Sequence, residues 1–277
     1  MKRIVPALAV LAALLGPSVS AEPTIPYFWD SRERLPKPEL SDFPRLRFLT
    51  TIDFPPFNFL DGSGRLTGFH VDLARAICAK IDLTDTCEIQ AVPWEELPQA
   101  LQAGDGEAII AGLAMSAESR QRFAFSRPYL QLPARFVMAK GNAVEEPVYQ
   151  KLVDRRVGVI DGSAHERALR DLFPGVRVVT YSRAEWMLGD LREGKTDAVF
   201  GDGMRLSFWL AGTGSQACCR FAGGPYLLPE YLGTGMAVAV DPGDDQLLAA
   251  INYALREIEA DGTFAELYLR YFPLGFF

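Results

Sequence analysis

Short apolar segments alternate with amphipathic segments from Leu46 onwards, and this alternation constrains the fold more than any other feature. LRFLTTI predicts a strand, VDLARAICAKI a helix, CEIQAV a strand and WEELPQALQAG a short helix. EAIIAG, which follows, is the kind of apolar strand that is buried on both faces of a parallel sheet. The pattern therefore predicts an α/β fold in which crossover helices cover the sheets.

The second half of the chain repeats this pattern. Segments 101–112 and 191–202 share Leu, Gly, an acidic residue, Ala and two apolar residues at matching positions. Each copy ends a helix with glycine and then enters a buried strand. Because open α/β sheets bind ligands at the carboxyl ends of their strands, two facing lobes would place Gly112 and Asp202 on opposite walls of one cleft.

The N-terminal segment and the charge restrict the function further. Residues 1–21 combine a basic start, an apolar core and a small-residue cleavage site, which predicts a signal peptide and export rather than a membrane anchor. The chain has 277 residues, a length that suits two lobes, and no basic clusters. Its net charge of −7 makes nucleic acid an unsuitable partner, since phosphates are neutralised by grouped Lys and Arg.

An ordered set of motifs carries a family resemblance over residues 46–277. TTIDFPPFNFL, GFHVDLARAI, FSRPY and the final ADGTFAEL followed by RYF occur in this order. The chain resembles bacterial periplasmic solute-binding protein family 3, the amino-acid receptors of ABC transporters. The resemblance implies a type 2 periplasmic-binding fold with a ligand cleft between two lobes. It also implies a periplasmic location, a small-molecule ligand, an ABC permease as partner, and neither a cofactor nor a catalytic residue.

The predicted organisation has four parts. These are a signal peptide (1–21), a Pro-rich arm (22–45), a first lobe (46–138 with 233–277) and a second lobe (139–232). The arm holds five prolines and three consecutive aromatic residues, and it either packs over a lobe or docks on a partner protein. The crossings between the lobes are predicted near 139–142 and 231–235.

The resemblance assigns ligand contacts to both lobes. Phe54 and Trp94 match aromatic residues that stack on the ligand, with a core position as the alternative for each. Asp202 matches an acid that pairs with the ligand's ammonium, although it also precedes a plausible helix that it could cap. Ser163 lies in a turn whose N–H groups usually help to hold the ligand's carboxylate, and Asp161 adds negative charge there.

The carboxylate pole departs from the family pattern. Gly112 and Ala114 stand where hydroxyl residues are common, and Ser119 stands where an Arg clamps the ligand's α-carboxylate. Ser cannot match the bidentate, charge-assisted bonds of Arg. Unless a shifted alignment lets Arg120 take this role, the chain is predicted to bind a cationic or neutral polar ligand instead of an ordinary amino acid.

Cysteines and histidines suggest a disulfide but no metal site. Cys78 and Cys87 are nine residues apart across a helix-to-strand turn, and some members of the family have a disulfide at this place. Cys218 and Cys219 are either two thiols or a vicinal pair. The two histidines, at 70 and 165, lack ligand spacing to a cysteine pair and are expected at the surface or the cleft edge.

Three functions compete at this stage. The first is an exported receptor that closes two lobes over a small polar or cationic, amino-acid-derived solute for an ABC importer. The second is an accessory protein that binds a periplasmic partner enzyme and has lost transport. The third is a dehydratase-like enzyme, which no catalytic constellation in the sequence supports.

Overall fold

The computed structural model describes residues 33–40, 45–113, 115–142, 144, 147–272 and 274–277. The predicted signal peptide, the first part of the arm and Ala114 lie outside these residues. In the described part of the chain, no helix combines the length and the apolar character that a membrane span requires.

The strands are short, as expected of the apolar segments. In chain order they are β1 (Leu46–Thr50), β2 (Asp53–Phe54), β3 (Asn58–Leu60), β4 (Leu66–Thr67), β5 (Cys87–Ala91), β6 (Ala108–Ile109), β7 (Ala124–Phe125), β8 (Ala134–Ala139), β9 (Arg156–Ile160), β10 (Arg177–Tyr181), β11 (Ala198–Asp202), β12 (Cys219–Tyr226) and β13 (Ala239–Val240).

The helices bury their apolar faces at helical spacing. They are α1 (Phe69–Lys80), α2 (Leu97–Gln102), α3 (Val148–Lys151), α4 (Ala164–Leu172), α5 (Ala184–Arg192), α6 (Gly203–Ala211), α7 (Pro229–Leu232), α8 (Asp245–Ala260) and α9 (Thr263–Tyr271). In α1 the predicted positions Val71, Ala74, Ile77 and Cys78 are all buried. The C-terminal pair α8 and α9 packs against α1, which attaches the end of the chain to the first lobe.

Two five-stranded sheets form the two lobes of a mixed α/β fold, as predicted. The first has the order β5-β1-β6-β13-β7 and the second β10-β9-β11-β8-β12. In each sheet three neighbouring strands pair in parallel, and one strand, β13 in the first sheet and β8 in the second, is antiparallel to both of its neighbours. Crossover helices bury the parallel strands, so Phe48 and Ile109 of the first lobe and Val157 and Val199 of the second are fully buried.

The first crossing between the lobes differs from the predicted one. The sequence pattern predicts that the first lobe extends to residue 138, but β8 pairs with β11 and β12 in the second sheet. The chain therefore changes lobes before Ala134, close to the bridge between Leu130 and Met236. The strand RFVMA is apolar in either sheet, so its pattern could not reveal which neighbours it takes.

The same polar brace closes both lobes, at the ends where their strands begin. In the first lobe, Arg47 forms an ion pair with Glu107 at 2.7 Å and donates to the carbonyl oxygen of Gly104. In the second, Arg156 pairs with Asp197 at 3.1 Å and donates to the Gly194 carbonyl oxygen. The backbone N–H of each Arg also donates to the carboxylate of its partner. The sequence repeat therefore corresponds to a structural repeat.

All four cysteines are paired. The predicted disulfide between Cys78 and Cys87 is present and ties the end of α1 to the start of β5. Cys218 and Cys219 form a vicinal disulfide, which the sequence left open. Gln216 and Ala217, directly before it, both adopt positive φ, a conformation that is uncommon for residues other than glycine.

The described part of the arm, residues 33–40, lies on the first lobe. Glu33 forms an ion pair with Arg127, and its carbonyl oxygen accepts a hydrogen bond from Arg256 of α8. Lys37 pairs with Asp82, and two leucines of the arm pack against the core of the lobe. These contacts agree with the expectation that the arm packs over a lobe.

Candidate functional site

A cavity of about 270 Å³ lies at the carboxyl end of β1 in the first lobe. Open α/β sheets bind their ligands at such ends, because the loops there are free to carry polar groups. Its lining residues are Thr51, Asp53, Phe54, Trp94, Ala111 and Gly112. The predicted contacts Phe54, Trp94 and Gly112 are therefore brought together.

Phe54 and Gly112 form a close contact that requires the glycine. Gly112 has a φ of +80°, and a Cβ atom there would lie 3.0 Å from Cε1 of Phe54. The Phe54 ring is half-buried and stacks on Phe57, with 4.7 Å between ring centroids. Trp94 is 48% exposed at the start of a short 3₁₀ turn. Two aromatic faces therefore border the cavity, one held rigidly and one open to solvent.

A buried polar relay lies behind this wall. His70 is fully buried, and the expectation that it lies at the surface or the cleft edge is wrong. Its Nδ1 atom is 2.7 Å from Oδ1 of Asn58, and its Nε2 atom is 2.8 Å from the hydroxyl oxygen of Tyr129. Asn58 in turn donates to Oγ1 of Thr51 at 2.7 Å. The first two bonds satisfy both nitrogens of the ring that helix α1 carries into the core, and the third extends the chain of bonds to Thr51.

Burial lowers the pKa of His70 to about 3, so the folded protein should lose stability in acid. Above the ordinary pKa of 6.5 the neutral ring contributes its full stability. Below it the unfolded chain takes up a proton that the folded chain resists until about pH 3. We expect His70→Gln to reduce the loss in unfolding free energy between pH 6.5 and 5 by about 2 kcal/mol. Urea unfolding at both pH values measures this, and equal losses in the two proteins would contradict it.

A second cavity, of about 390 Å³, lies at the carboxyl ends of β9 and β11 in the second lobe. Its polar lining residues are Ser163, His165, Asp202 and Arg205. Its apolar lining residues include Ile160, Ala184, Met187, Leu188, Phe200 and Leu206. The cavity can hold an apolar stem whose polar end meets the carboxylate of Asp202.

Asp202 fulfils the predicted capping role. Its carboxylate accepts a hydrogen bond from the backbone N–H of Arg205 at 2.7 Å and so caps α6. Burial raises the pKa of this carboxyl group, because the charged form loses solvation, and the charges of His165 and Arg205 oppose the rise only in part. No Lys, Arg or His in the described part of the chain forms an ion pair with it within 4.0 Å. One oxygen therefore caps the helix while the group stays without a cation.

His165 lies beside Asp202 with an unused ring nitrogen. Its Nε2 atom is buried and has no hydrogen-bond partner. Burial lowers the pKa of His165, whereas the charge of Asp202 acts in the opposite direction. The ring is T-shaped to Phe200 at 6.2 Å between centroids. This neutral imidazole can contact a ligand in the second cavity.

The turn before α4 already holds a carboxylate from the protein itself. Ser163 caps α4 by accepting from the N–H of Glu166 at 3.1 Å, as in a capping box. The Glu166 carboxylate returns to the N–H of Gly162 at 2.8 Å and pairs with Arg170. Asp161 is exposed and is not among the cavity-lining residues. A backbone N–H of the turn predicted to hold a ligand's carboxylate is therefore occupied.

Ser119 and Arg120 lie outside both cavities. The Ser119 hydroxyl oxygen accepts from the backbone N–H of Ser116 at 2.9 Å, and Ser116 Oγ accepts from the N–H of Ser119 at 3.0 Å. Arg120 is exposed, and its guanidinium contacts the Met115 sulfur at 3.7 Å and lies 5.8 Å from the centroid of the Phe125 ring. Arg120 thus follows the surface of its own turn.

Some residues of both walls escaped the sequence analysis. Thr51 and His165 line the cavities, and Glu166 bonds to the Gly162 N–H before α4, yet none of the three was predicted as a ligand contact. The available signals were positional, since Thr51 directly follows β1 and His165 and Glu166 lie in the first turn of α4. No signal in the sequence pattern distinguished His70 from an exposed histidine.

Two lobes joined by two crossings, each with a cavity at its strand ends, define a two-lobed ligand-binding protein. The sequence model of bacterial extracellular solute-binding proteins, family 3, matches residues 46–274. The chain therefore belongs to this family and has its mixed α/β two-lobed periplasmic-binding fold.

Known relatives agree with this assignment. The putative ABC transporter arginine-binding protein 2 of Escherichia coli K12 is 32% identical over 82% of this chain and 90% of that protein. The lysine/arginine/ornithine-binding periplasmic protein of the same strain is 29% identical over 83% of the chain and 88% of that protein. A solved ancestral cationic amino acid solute binding protein is 25% identical, with a TM-score of 0.61, and the match covers 82% of this chain and 95% of that one.

Proposed function

We propose that this protein is the exported, periplasmic receptor of an ABC importer and binds a small cationic solute that lacks a free α-carboxylate. The observation that carries this proposal is Asp202, a carboxylate that lines the second cavity and has no ion pair within the described part of the chain. A carboxylate deprived of solvent is stabilised by a cation that enters the cavity with its ligand. Relatives named for arginine, lysine and ornithine support a cationic ligand.

The absence of a carboxylate from the ligand is supported on both lobes. Ser119 is engaged with Ser116, and Arg120 lies on the surface of its own turn. In the second lobe, Glu166 holds a backbone N–H that would otherwise receive an anion. A ligand with a free carboxylate would therefore meet no guanidinium at position 119 and would find the Gly162 N–H already bonded to Glu166.

The first cavity supplies the other contact that lobe closure needs. Phe54 and Trp94 offer aromatic faces to an aliphatic or guanidinium part of the ligand. A ligand that contacts both walls would stabilise a closed form by rotation about the two crossings. Presentation of this closed form to a permease is the proposed step in transport.

Three related probes test the proposal by thermal shift: agmatine, L-argininamide and L-arginine. Agmatine lacks the carboxylate, and L-argininamide replaces it with an amide. We expect the first two to stabilise residues 22–277 and L-arginine to have little effect. At 1,000 times its Kd a ligand adds about 4 kcal/mol, which raises Tm by several degrees.

Other outcomes would favour other functions. A clear shift with L-arginine would show that the carboxylate pole is intact. Consumption of a probe would favour the dehydratase-like enzyme, and co-purification of a larger enzyme without any shift would favour the accessory protein. Each of these results would contradict the proposal.

A further inference from the structure

The relay behind the first cavity has a definite direction. All four of its members, Thr51, Asn58, His70 and Tyr129, are at most 3% exposed, so solvent cannot replace any of their hydrogen bonds. A neutral imidazole carries one N–H group. The Asn58 oxygen that faces Nδ1 of His70 can only accept, so the proton resides on Nδ1.

The remaining bonds follow from this tautomer. His70 Nε2 is then an acceptor, and the hydroxyl of Tyr129 donates to it. Burial raises the pKa of Tyr129, so the phenol keeps the proton that it donates. At the other end, the Asn58 amide nitrogen donates to Oγ1 of Thr51. Every bond therefore runs from the core toward the cavity.

The Thr51 hydroxyl is the open end of the relay. Its oxygen accepts from Asn58, which leaves its own proton to be donated elsewhere. Thr51 lines the first cavity, where the other side-chain polar groups are the Asp53 carboxylate and the Trp94 indole N–H. The Asp53 carboxylate repels an anionic ligand group but does not prevent a neutral hydrogen-bond acceptor from binding beside it.

We propose that the relay presents Thr51 as a hydrogen-bond donor to a neutral acceptor oxygen of the ligand, such as a carbonyl or ether oxygen. Thr51 is then a specificity-determining contact, and His70, Asn58 and Tyr129 are positioning residues that fix its polarity. This inference rests on the proposed function and refines its ligand class. The solute is a cation with an oxygen acceptor in place of the α-carboxylate.

The tautomer can be tested without any ligand. The chain contains only two histidines, so ¹⁵N-histidine NMR gives two ring systems, and His165→Gln identifies the signals of His70. We expect His70 to show the Nδ1–H tautomer, unchanged between pH 8 and 5. An Nε2–H tautomer would reverse the donor and acceptor in every bond of the relay. Thr51 would then donate to Asn58 and could only accept from a ligand, which would overturn the inference.

Binding tests the contact itself. L-Argininamide carries a carboxamide, with its carbonyl oxygen, that agmatine lacks, so isothermal titration with this pair measures the contribution of that group. We expect Thr51→Val to weaken the binding of L-argininamide about 10-fold and to leave the binding of agmatine unchanged. Thr51→Ser should restore the binding of L-argininamide. Tyr129→Phe should reduce the preference for L-argininamide over agmatine by a smaller factor than Thr51→Val. Melting temperatures verify that each variant is folded.

The Thr51 donor contact and the proposed ligand class would be contradicted by different results. An equal loss for both probes in Thr51→Val would mean that the residue acts by shape alone, which overturns the donor contact but leaves the proposed function. If neither probe binds the wild-type protein, the proposed ligand class is wrong and the contact falls with it. The histidine tautomer would still decide the direction of the relay.

Discussion

Asp202→Asn is expected to weaken binding of agmatine or L-argininamide, whichever binds more tightly, about 1,000-fold while the protein remains folded. Removing one partner of a desolvated ion pair costs roughly 3–5 kcal/mol, since the other charge stays buried without compensation. Asn also caps helices well, so the bond to the Arg205 N–H should persist. Isothermal titration at neutral pH measures the loss.

The pKa of Asp202 determines the effect of this substitution on the ligand-free protein. Because burial raises this pKa, the folded state binds the proton of this carboxyl group more tightly than the unfolded chain does. The resulting stability is full below the ordinary pKa of 3.8 and is lost as pH rises through the raised value. At neutral pH the variant should therefore melt no lower than the wild type.

Asp244→Asn is a matched control. Asp244 caps α8 in the same way, accepting from the N–H of Leu247, and it does not line the cavities. This variant should bind like the wild type. Unchanged binding in Asp202→Asn, or equal losses in both variants, would contradict the assignment of Asp202 to the ligand's cation.

Ser119→Arg should create an amino-acid receptor, with L-arginine binding strengthened at least 100-fold. If position 119 still faces the ligand when the lobes close, a guanidinium there can form two charge-assisted bonds to the α-carboxylate, each contributing about 1.5–3 kcal/mol. The same variant should bind agmatine less well than the wild type, because agmatine has no carboxylate to pair with the added guanidinium. Isothermal titration with both compounds measures the change.

Three companion variants define this result. Ser119→Lys supplies charge without the planar fork and should give a much smaller gain. Glu166→Gln combined with Ser119→Arg should strengthen L-arginine further, because a negative charge leaves the turn before α4. Arg120→Ala should not change the gain. If Ser119→Arg has no effect, or the gain depends on Arg120, the alignment that places the clamp at 119 is wrong.

The alternation of strands and helices predicted the fold because it depends on local burial. The buried face of α1 and the Cys78–Cys87 disulfide involve residues that are close in sequence, and both predictions are confirmed. The first crossing was misplaced because β8 is apolar in either lobe, and its partners β11 and β12 lie over 50 residues further along the chain.

The candidate site was predictable only for residues whose role does not depend on neighbours that are distant in sequence. Phe54, Trp94 and Asp202 were selected because the family resemblance implies aromatic and acidic ligand contacts at their positions, and all three line the cavities. His70 was misjudged because its burial depends on acceptors and donors supplied by Asn58 and Tyr129, which the sequence does not reveal as neighbours. Glu166 was not predicted as part of the site. Its bond to the Gly162 N–H is local, but the bond matters for ligand binding only where that N–H would otherwise meet the ligand, and the sequence does not show this.

The paired braces of Arg47 with Glu107 and Arg156 with Asp197 bear on how this receptor can change over evolution. They secure each sheet where its strands begin, whereas the two candidate cavities lie where the strands end. Substitutions at the strand ends, such as the proposed loss of a carboxylate-binding Arg at position 119, would therefore leave the support of both lobes intact. A lineage with this architecture can lose one ligand and acquire another through intermediates that remain folded.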